Sequence, residues 1–366
     1  MRRTAWIFLG VFCLAFGLSS TSVYSQEPKL ENEQALFEQI AKDRLATLEE
    51  AIVETGILRE DIPAIDRPNY SSFNDASLAN DKRDVVFVAQ FGEEIRVYPQ
   101  LILVWHEVVN DVINGEKVTI TYCPLTGSVI GYKGKVDLFN TSFGLSGMLV
   151  NNNSLLYDRS TNSLWPQLLG TAIRGPLKGK SLTRFPLLWT TFQRAMERFP
   201  NAKVLSRSTG IRRNYGRDPY GSYSREGTYY DNNVIVHRLT FWDKRLPAKT
   251  RVLGWRFDNQ YGVVLHKNVA EKGVVNFSPG MTPLVAFYDA ELDAVRLFVA
   301  LMKEKPLTFK WVDGKIFDEQ TKSEWTPEGV AKSGTLDELR LQEIPVYNAM
   351  WFGWAAYYPD TEIFKN

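Results

Sequence analysis

Cysteine is nearly absent from this chain: two in 366 residues, Cys13 and Cys123, with only three histidines beside them. Cys13 lies inside an apolar run, Trp6 to Leu18, that follows Arg2 and Arg3 and gives way to Val23-Tyr24-Ser25-Gln26. A basic start, an apolar middle and a small-residue end form the pattern of a secretory signal, with the cut expected after Ser25. Residues 1–25 are therefore read as a signal peptide, and the mature protein as exported, periplasmic or secreted. No later apolar run approaches the roughly 20 residues that cross a bilayer, so no membrane span is expected after cleavage. Cys123 then stands alone, and one thiol closes no disulfide within the chain. Charge of one sign is lacking as well, with 43 basic residues against 42 acidic, which leaves no net field to recruit nucleic acid. His-x-x-x-His and Cys-x-x-Cys pairs are missing, so spacing points to no metal and no cofactor.

What remains is an ordinary globular composition, 44% hydrophobic and 13% aromatic, long enough for two domain-sized cores. Leu36, Phe37, Ile40, Leu45, Leu48 and Ile52 recur at helical spacing, which predicts an amphipathic docking helix within residues 26–58, reaching about Val53. Beyond it the chain repeats itself. Asp158-Arg-Ser-Thr161-Asn-Ser163-Leu-Trp165 returns 160 residues later as Asp318-Glu-Gln-Thr321-Lys-Ser323-Glu-Trp325. Weaker matches set Val109-Asn110 on Val275-Asn276 and Tyr122 on Tyr288. We read an internal duplication: a first half over 59–206, an insertion over 207–250 rich in Arg, Tyr and Gly, and a second half over 251–366.

In the first half, Val85–Phe91 and Ile95–Tyr98 read as strands, Leu101–Ile113 as a helix ended by Asn114-Gly115, and Lys117–Tyr122 and Gly127–Tyr132 as paired strands. Leu187–Arg198 reads as a second helix. Strands outnumber helices without strict alternation, which favours an α+β fold rich in antiparallel sheet. The Asp-x-x-Thr-x-Ser-x-Trp segment has turn chemistry: a carboxylate and two hydroxyls that bond nearby N–H groups, and an indole that pins the turn to the core.

The halves differ where chemistry would sit. The weaker alignment sets His106, Glu107 and Cys123 on Lys272, Gly273 and Asp289, so if one half is active and the other supportive, the first is the active one. Tyr122-Cys123-Pro124-Leu125-Thr126 ends a strand in a turn, where free N–H groups and the Thr126 hydroxyl would favour a thiolate. His106 is the candidate base, with Glu107 beside it about 100° round the helix. Burial as a small hydrophobe is the alternative for Cys123.

The segments Asp61-Ile-Pro-Ala-Ile-Asp66, Arg96-Val-Tyr98-Pro99, His106-Glu-Val-Val-Asn110, Thr121-Tyr122-Cys123-Pro-Leu125, Phe143-Gly-Leu-Ser-Gly147 and Tyr157-Asp158-Arg159 occur in order. Together they resemble the bacterial and archaeal family catalogued as domain of unknown function 3179, over about Arg59 to Phe364. Tyr98, Asn110, Tyr122, Asp158 and Arg159 stand in these motifs and, with Trp165, are the candidate binding residues. The resemblance implies a redox role, because relatives often carry a second cysteine or a selenocysteine where this chain has Thr126. That departure leaves at most a one-cysteine mechanism.

Three functions follow as expectations. The first is a thiol-based redox protein acting on a small-molecule or thiol/disulfide substrate through Cys123, assisted by His106. The second is a copper or zinc protein that gathers Cys123 with His106 and another histidine, His237 or His266, which lie far apart in sequence. The third is a non-catalytic module with an inert cysteine. Oligomeric state is not written in the sequence.

Overall fold

Runs of β-branched and aromatic residues build the strands, and glycine, asparagine and proline cut them short. The computed structural model describes residues 42–75, 81–136, 139–257, 260–302 and 304–365. Short helices pack on several largely antiparallel sheets, an α+β arrangement. The expected signal and most of the expected N-terminal helix lie outside the described residues. Residues 42–50 are helical (α1), but the chain leaves the helix before Val53–Glu54, which pairs as a strand with Phe143–Val150.

One sheet orders Leu188–Thr191, Val85–Phe91, Glu94–Pro99, Lys203–Leu205 and Tyr70–Ser71, with Lys203–Leu205 parallel to Glu94–Pro99. A larger sheet runs Glu362–Phe364, Gln260–Val264, Arg251–Phe257, Val346–Met350, Ser128–Lys133, Glu116–Cys123 and Val108–Ile113. It is joined through Asn348 opposite Val129, so strands from both ends of the chain share one sheet. A third orders Val274–Phe277, Leu284–Asp289, Ala294–Val299 and Gln342–Ile344.

The same pairings occur twice. Val108–Ile113, Glu116–Cys123, Ser128–Lys133 and Arg184–Phe185 pair in succession, as do the four strands of the third sheet. Asn110 donates to the Phe143 carbonyl at 2.8 Å and accepts the Phe143 N–H at 3.0 Å. Asn276 clips Phe309 in the same way at 2.8 and 2.9 Å. Asp158 accepts the N–H groups of Thr161 and Ser163, the Thr161 hydroxyl and the Trp165 indole N–H, all within 3.1 Å. Asp318 accepts the same four donors from Thr321, Ser323 and Trp325. The insertion, 207–250, has neither strand nor helix.

Two expected helices are shorter than their hydrophobic spacing suggests. Leu101–Ile113 divides into helix α2, Gln100–His106, and the strand Val108–Ile113. Asn114 and Gly115, at φ 48° and 76°, are the two central residues of a hairpin turn into Glu116–Cys123 rather than a helix stop. Leu187–Arg198 likewise begins as the strand Leu188–Thr191, and helix α3, Phe192–Arg198, starts only after Thr191, whose hydroxyl caps it by accepting the Arg194 N–H. Pairing to an adjacent strand outweighs helical spacing in both places.

Because Asp158 satisfies four donors from full burial, Asp158→Ala should lower the unfolding free energy by about 3 kcal/mol or more, and Asp318→Ala by a similar amount. Urea denaturation of the two variants checks this; a loss below about 1 kcal/mol at either position would show that the turn is not held by its carboxylate.

Candidate functional site

Pro99, at φ −62°, opens α2, and Glu107 closes it in the left-handed region at φ 56°. The Glu107 N–H donates to the Leu103 carbonyl at 2.6 Å, and the Glu107 carbonyl accepts the Tyr122 N–H at 2.8 Å. Those two bonds fix a corner between the helix and the strand that carries Cys123. Left-handed backbone costs a residue with a Cβ about 1–2 kcal/mol. The matching corner follows helix α4, His266–Lys272, and uses Gly273 at φ 73°, where a Cβ would fall 2.2 Å from the Trp311 ring.

The reversal at Glu107 sends its side chain away from that of His106. The His106 ring lies 2.7 Å from the Pro63 carbonyl through Nδ1 and 2.6 Å from the Tyr215 hydroxyl through Nε2. Burial lowers its pKa. Both ring nitrogens are thus engaged by Pro63 and Tyr215 in place of the expected His106–Cys123 pair, and the carboxyl whose charge acts on the thiol is that of Glu107. Ser154 Oγ donates to the Glu107 carboxyl at 2.5 Å. Burial pushes that carboxyl up to about 7, against the opposing bond from Ser154.

Cys123 is fully buried, and its Sγ lies 3.7 Å from the Asn152 carbonyl. Burial first, and the Glu107 charge second, push the thiol up; the hydroxyls of Ser154 and Thr126 and the Thr126 N–H pull the other way. The thiolate expected at the end of this strand is therefore not the resting form. Ser154 bonds the carboxyl and stands close enough to the sulfur to oppose the rise in its pKa. Thr126 also contacts Ser128 at 2.8 Å and accepts from Asn153 at 3.0 Å, which ties the thiol turn to a buried polar network ending on Gln167.

The insertion covers this pair. The Tyr229 hydroxyl donates to the Leu125 carbonyl at 2.7 Å, and Asn152 exchanges two hydrogen bonds with the His237 backbone. Tyr220 lies close enough to Glu107 and Cys123 to feel both charges. Tyr122, next to the thiol, points its hydroxyl into a cluster with Gln100, Tyr223 and Tyr230, in which Tyr230 donates to Asp218 at 2.7 Å. On the far side of these tyrosines a cleft of about 990 Å³ opens, lined by Gln100, Trp189, Arg217, Tyr220, Tyr223 and Arg251 among others.

Other expected site residues lie elsewhere. Tyr98 donates to Asp111 at 2.6 Å. Arg159 is ion-paired with Glu60 and Asp66. Asn110, Asp158 and Trp165 are occupied in the clips and turns already described. His266 sits against Asp293, and the described residues hold no cluster of three His, Cys, Asp or Glu side chains. Ser154, Asn152 and Asp218 carry no motif that marks them in advance. They are found only because strand pairing and the insertion bring them to the thiol and its tyrosine cover.

Residues 59–361, which span the corner, the thiol turn, the insertion and both aspartate turns, match the family described as a protein of unknown function, DUF3179. The chain belongs to that family. No curated protein and no solved structure matches it.

The raised pKa of the Glu107 carboxyl makes stability depend on pH. The pKa rises from 4.5 to about 7 on folding, so between those values the folded state holds a proton that the unfolded chain has released. The contribution is complete below pH 4.5 and is lost as pH rises through about 7. It amounts to about 3 kcal/mol. Chemical denaturation at pH 5 and pH 8 should show a fall of that order in the wild type, and a smaller fall by the same amount in Glu107→Gln; identical falls would place the Glu107 pKa at its ordinary value.

Proposed function

We propose that this protein performs thiol chemistry at Cys123, with Glu107 and not His106 taking the thiol proton. One observation carries the reading: a glutamate occupies a strained left-handed corner where the other half has glycine, and its buried carboxyl meets the lone thiol of the described residues through Ser154. Strain of this kind persists where a side chain is used. A carboxyl near pKa 7 is matched to accept a proton at neutral pH. The proton passes from Sγ to Glu107, directly or across Ser154, and the thiolate attacks one sulfur of a small disulfide. The other sulfur leaves as a thiolate and takes the proton from Glu107. A second thiol then releases Cys123 and carries the disulfide away, so electrons balance without a cofactor.

The tyrosines of the insertion stand between the cleft and the thiol, so the cleft side is the route of approach once Tyr220 and Tyr229 move aside. Full burial of Cys123 favours a second reading, an inert cysteine in a structural module. We further propose that the two halves descend from a duplication, supported by the repeated pairings and the matched asparagine clips and aspartate turns. On this reading the first half kept the chemistry, and Gly273 and Asp289 mark its loss or absence in the second. Export follows from the signal-like start of the chain, and helix α1, residues 42–50, serves as the docking element ahead of the first half.

The test is the pH dependence of mixed-disulfide formation between the folded protein and a small aromatic disulfide. The rate should rise with an inflection near pH 7, and Glu107→Gln should slow it at least about tenfold at neutral pH while His106→Gln changes it far less. Reaction only after unfolding sinks the proposal and establishes the inert reading.

A further inference from the structure

Away from the thiol, three arginines meet around one tyrosine. Arg44 comes from α1, Arg184 from the strand Arg184–Phe185, Arg256 from the strand Arg251–Phe257, and Tyr358 follows helix α5, Trp351–Tyr357. The guanidinium carbons of Arg44 and Arg256 lie 5.4 and 5.8 Å from the Tyr358 ring centre, and that of Arg184 lies 4.7 Å from the neighbouring Tyr347 ring. Arg184 and Arg256 both donate to the Leu169 carbonyl, which aims the two side chains at the same spot.

Cations this close repel unless an anion lies between them. Among the described residues no carboxylate pairs with any of the three; the charged and polar groups around Arg184 are the hydroxyls of Tyr358, Tyr347 and Tyr132. Arg44 Nη2, Arg184 Nε and the Tyr358 hydroxyl are buried without a hydrogen-bond partner. Tyr358 itself is 2% exposed. Burial would push its hydroxyl up, yet the charges of Arg256 and Arg184, the Arg184 side chain beside the hydroxyl and the charge of Arg44 outweigh burial and hold it below the usual phenol value. Unpartnered donors in a native interior are rare, and they converge here on one locus.

We propose that Arg44, Arg184, Arg256 and Tyr358 form a binding site for a small oxyanion of the phosphate or sulfate class, which would bridge segments from both ends of the chain. Guanidinium forks supply donors and no acceptor, and the phenol hydroxyl can add one donor more, the set that such an anion takes. Because the segments it would join are distant in sequence, binding should stabilise the fold as a whole.

The probe is inorganic phosphate, titrated into the full chain at constant ionic strength, with heat of binding and thermal unfolding both measured. Saturable binding with a rise in Tm is expected, weakened at least about tenfold in Arg256→Gln and in Arg44→Gln but unchanged in the exposed control Arg212→Gln. Sulfate competing with phosphate for the same site supports the proposal. No saturable heat in the wild type overturns it, as does equal binding by all three variants. A phenolate absorbance that appears near neutral pH and vanishes in Tyr358→Phe, without phosphate binding, also overturns it, because the tyrosine would then be the internal counter-ion.

Discussion

The corner at Glu107 governs the first half of the molecule. Its N–H is held by Leu103 and its carbonyl by Tyr122, so helix α2 and the thiol-bearing strand are joined by two backbone bonds at one residue. A residue in the left-handed region turns the chain sharply, and here the turn separates neighbours in sequence. His106 goes to Pro63 and Tyr215, on the side of the insertion's start. Glu107 goes inward to Ser154 and Cys123. The second half makes the same corner with glycine and fills the space beside it with Trp311, which leaves no room for a carboxyl.

Electrostatics and burial work together on the enclosed pair. Each of the two groups is easier to bury protonated, and the Glu107 charge raises the thiol further. The result is a protonated thiol beside a carboxyl that titrates near neutrality, in place of the exposed thiolate of many reactive cysteines. The insertion completes the enclosure without regular structure of its own. Parts of its backbone are satisfied by the Asn151 and Asn152 side chains, and Tyr229 bonds the thiol turn through the Leu125 carbonyl. A loop of this length held so closely is consistent with use rather than with mere connection.

Much of the scaffold was legible in residue types. Asp158 and Asp318 announce their turns, because the carboxylate, the two hydroxyls and the indole are all within eight residues and need no distant partner. The recurrence of the segment 160 residues on was visible for the same reason, and the two asparagine clips recur with it. Helix extents were less legible. Leu101–Ile113 has helical spacing throughout, and only the presence of Glu116–Cys123 alongside makes its second part a strand.

The sequence by itself determined the α+β class, the family, the scarcity of thiol and the local turns, since these rest on composition and on contacts a few residues long. Only the tertiary structure decided which group stands beside Cys123. Position 107 differs from 106 by one step along the chain, but the sign of one backbone angle puts the two side chains on opposite sides, and that sign is set by hydrogen bonds to Leu103 and Tyr122. The tyrosine cover and the meeting of Arg44, Arg184 and Arg256 were equally hidden, because their members lie far apart in sequence and come together through sheet pairing.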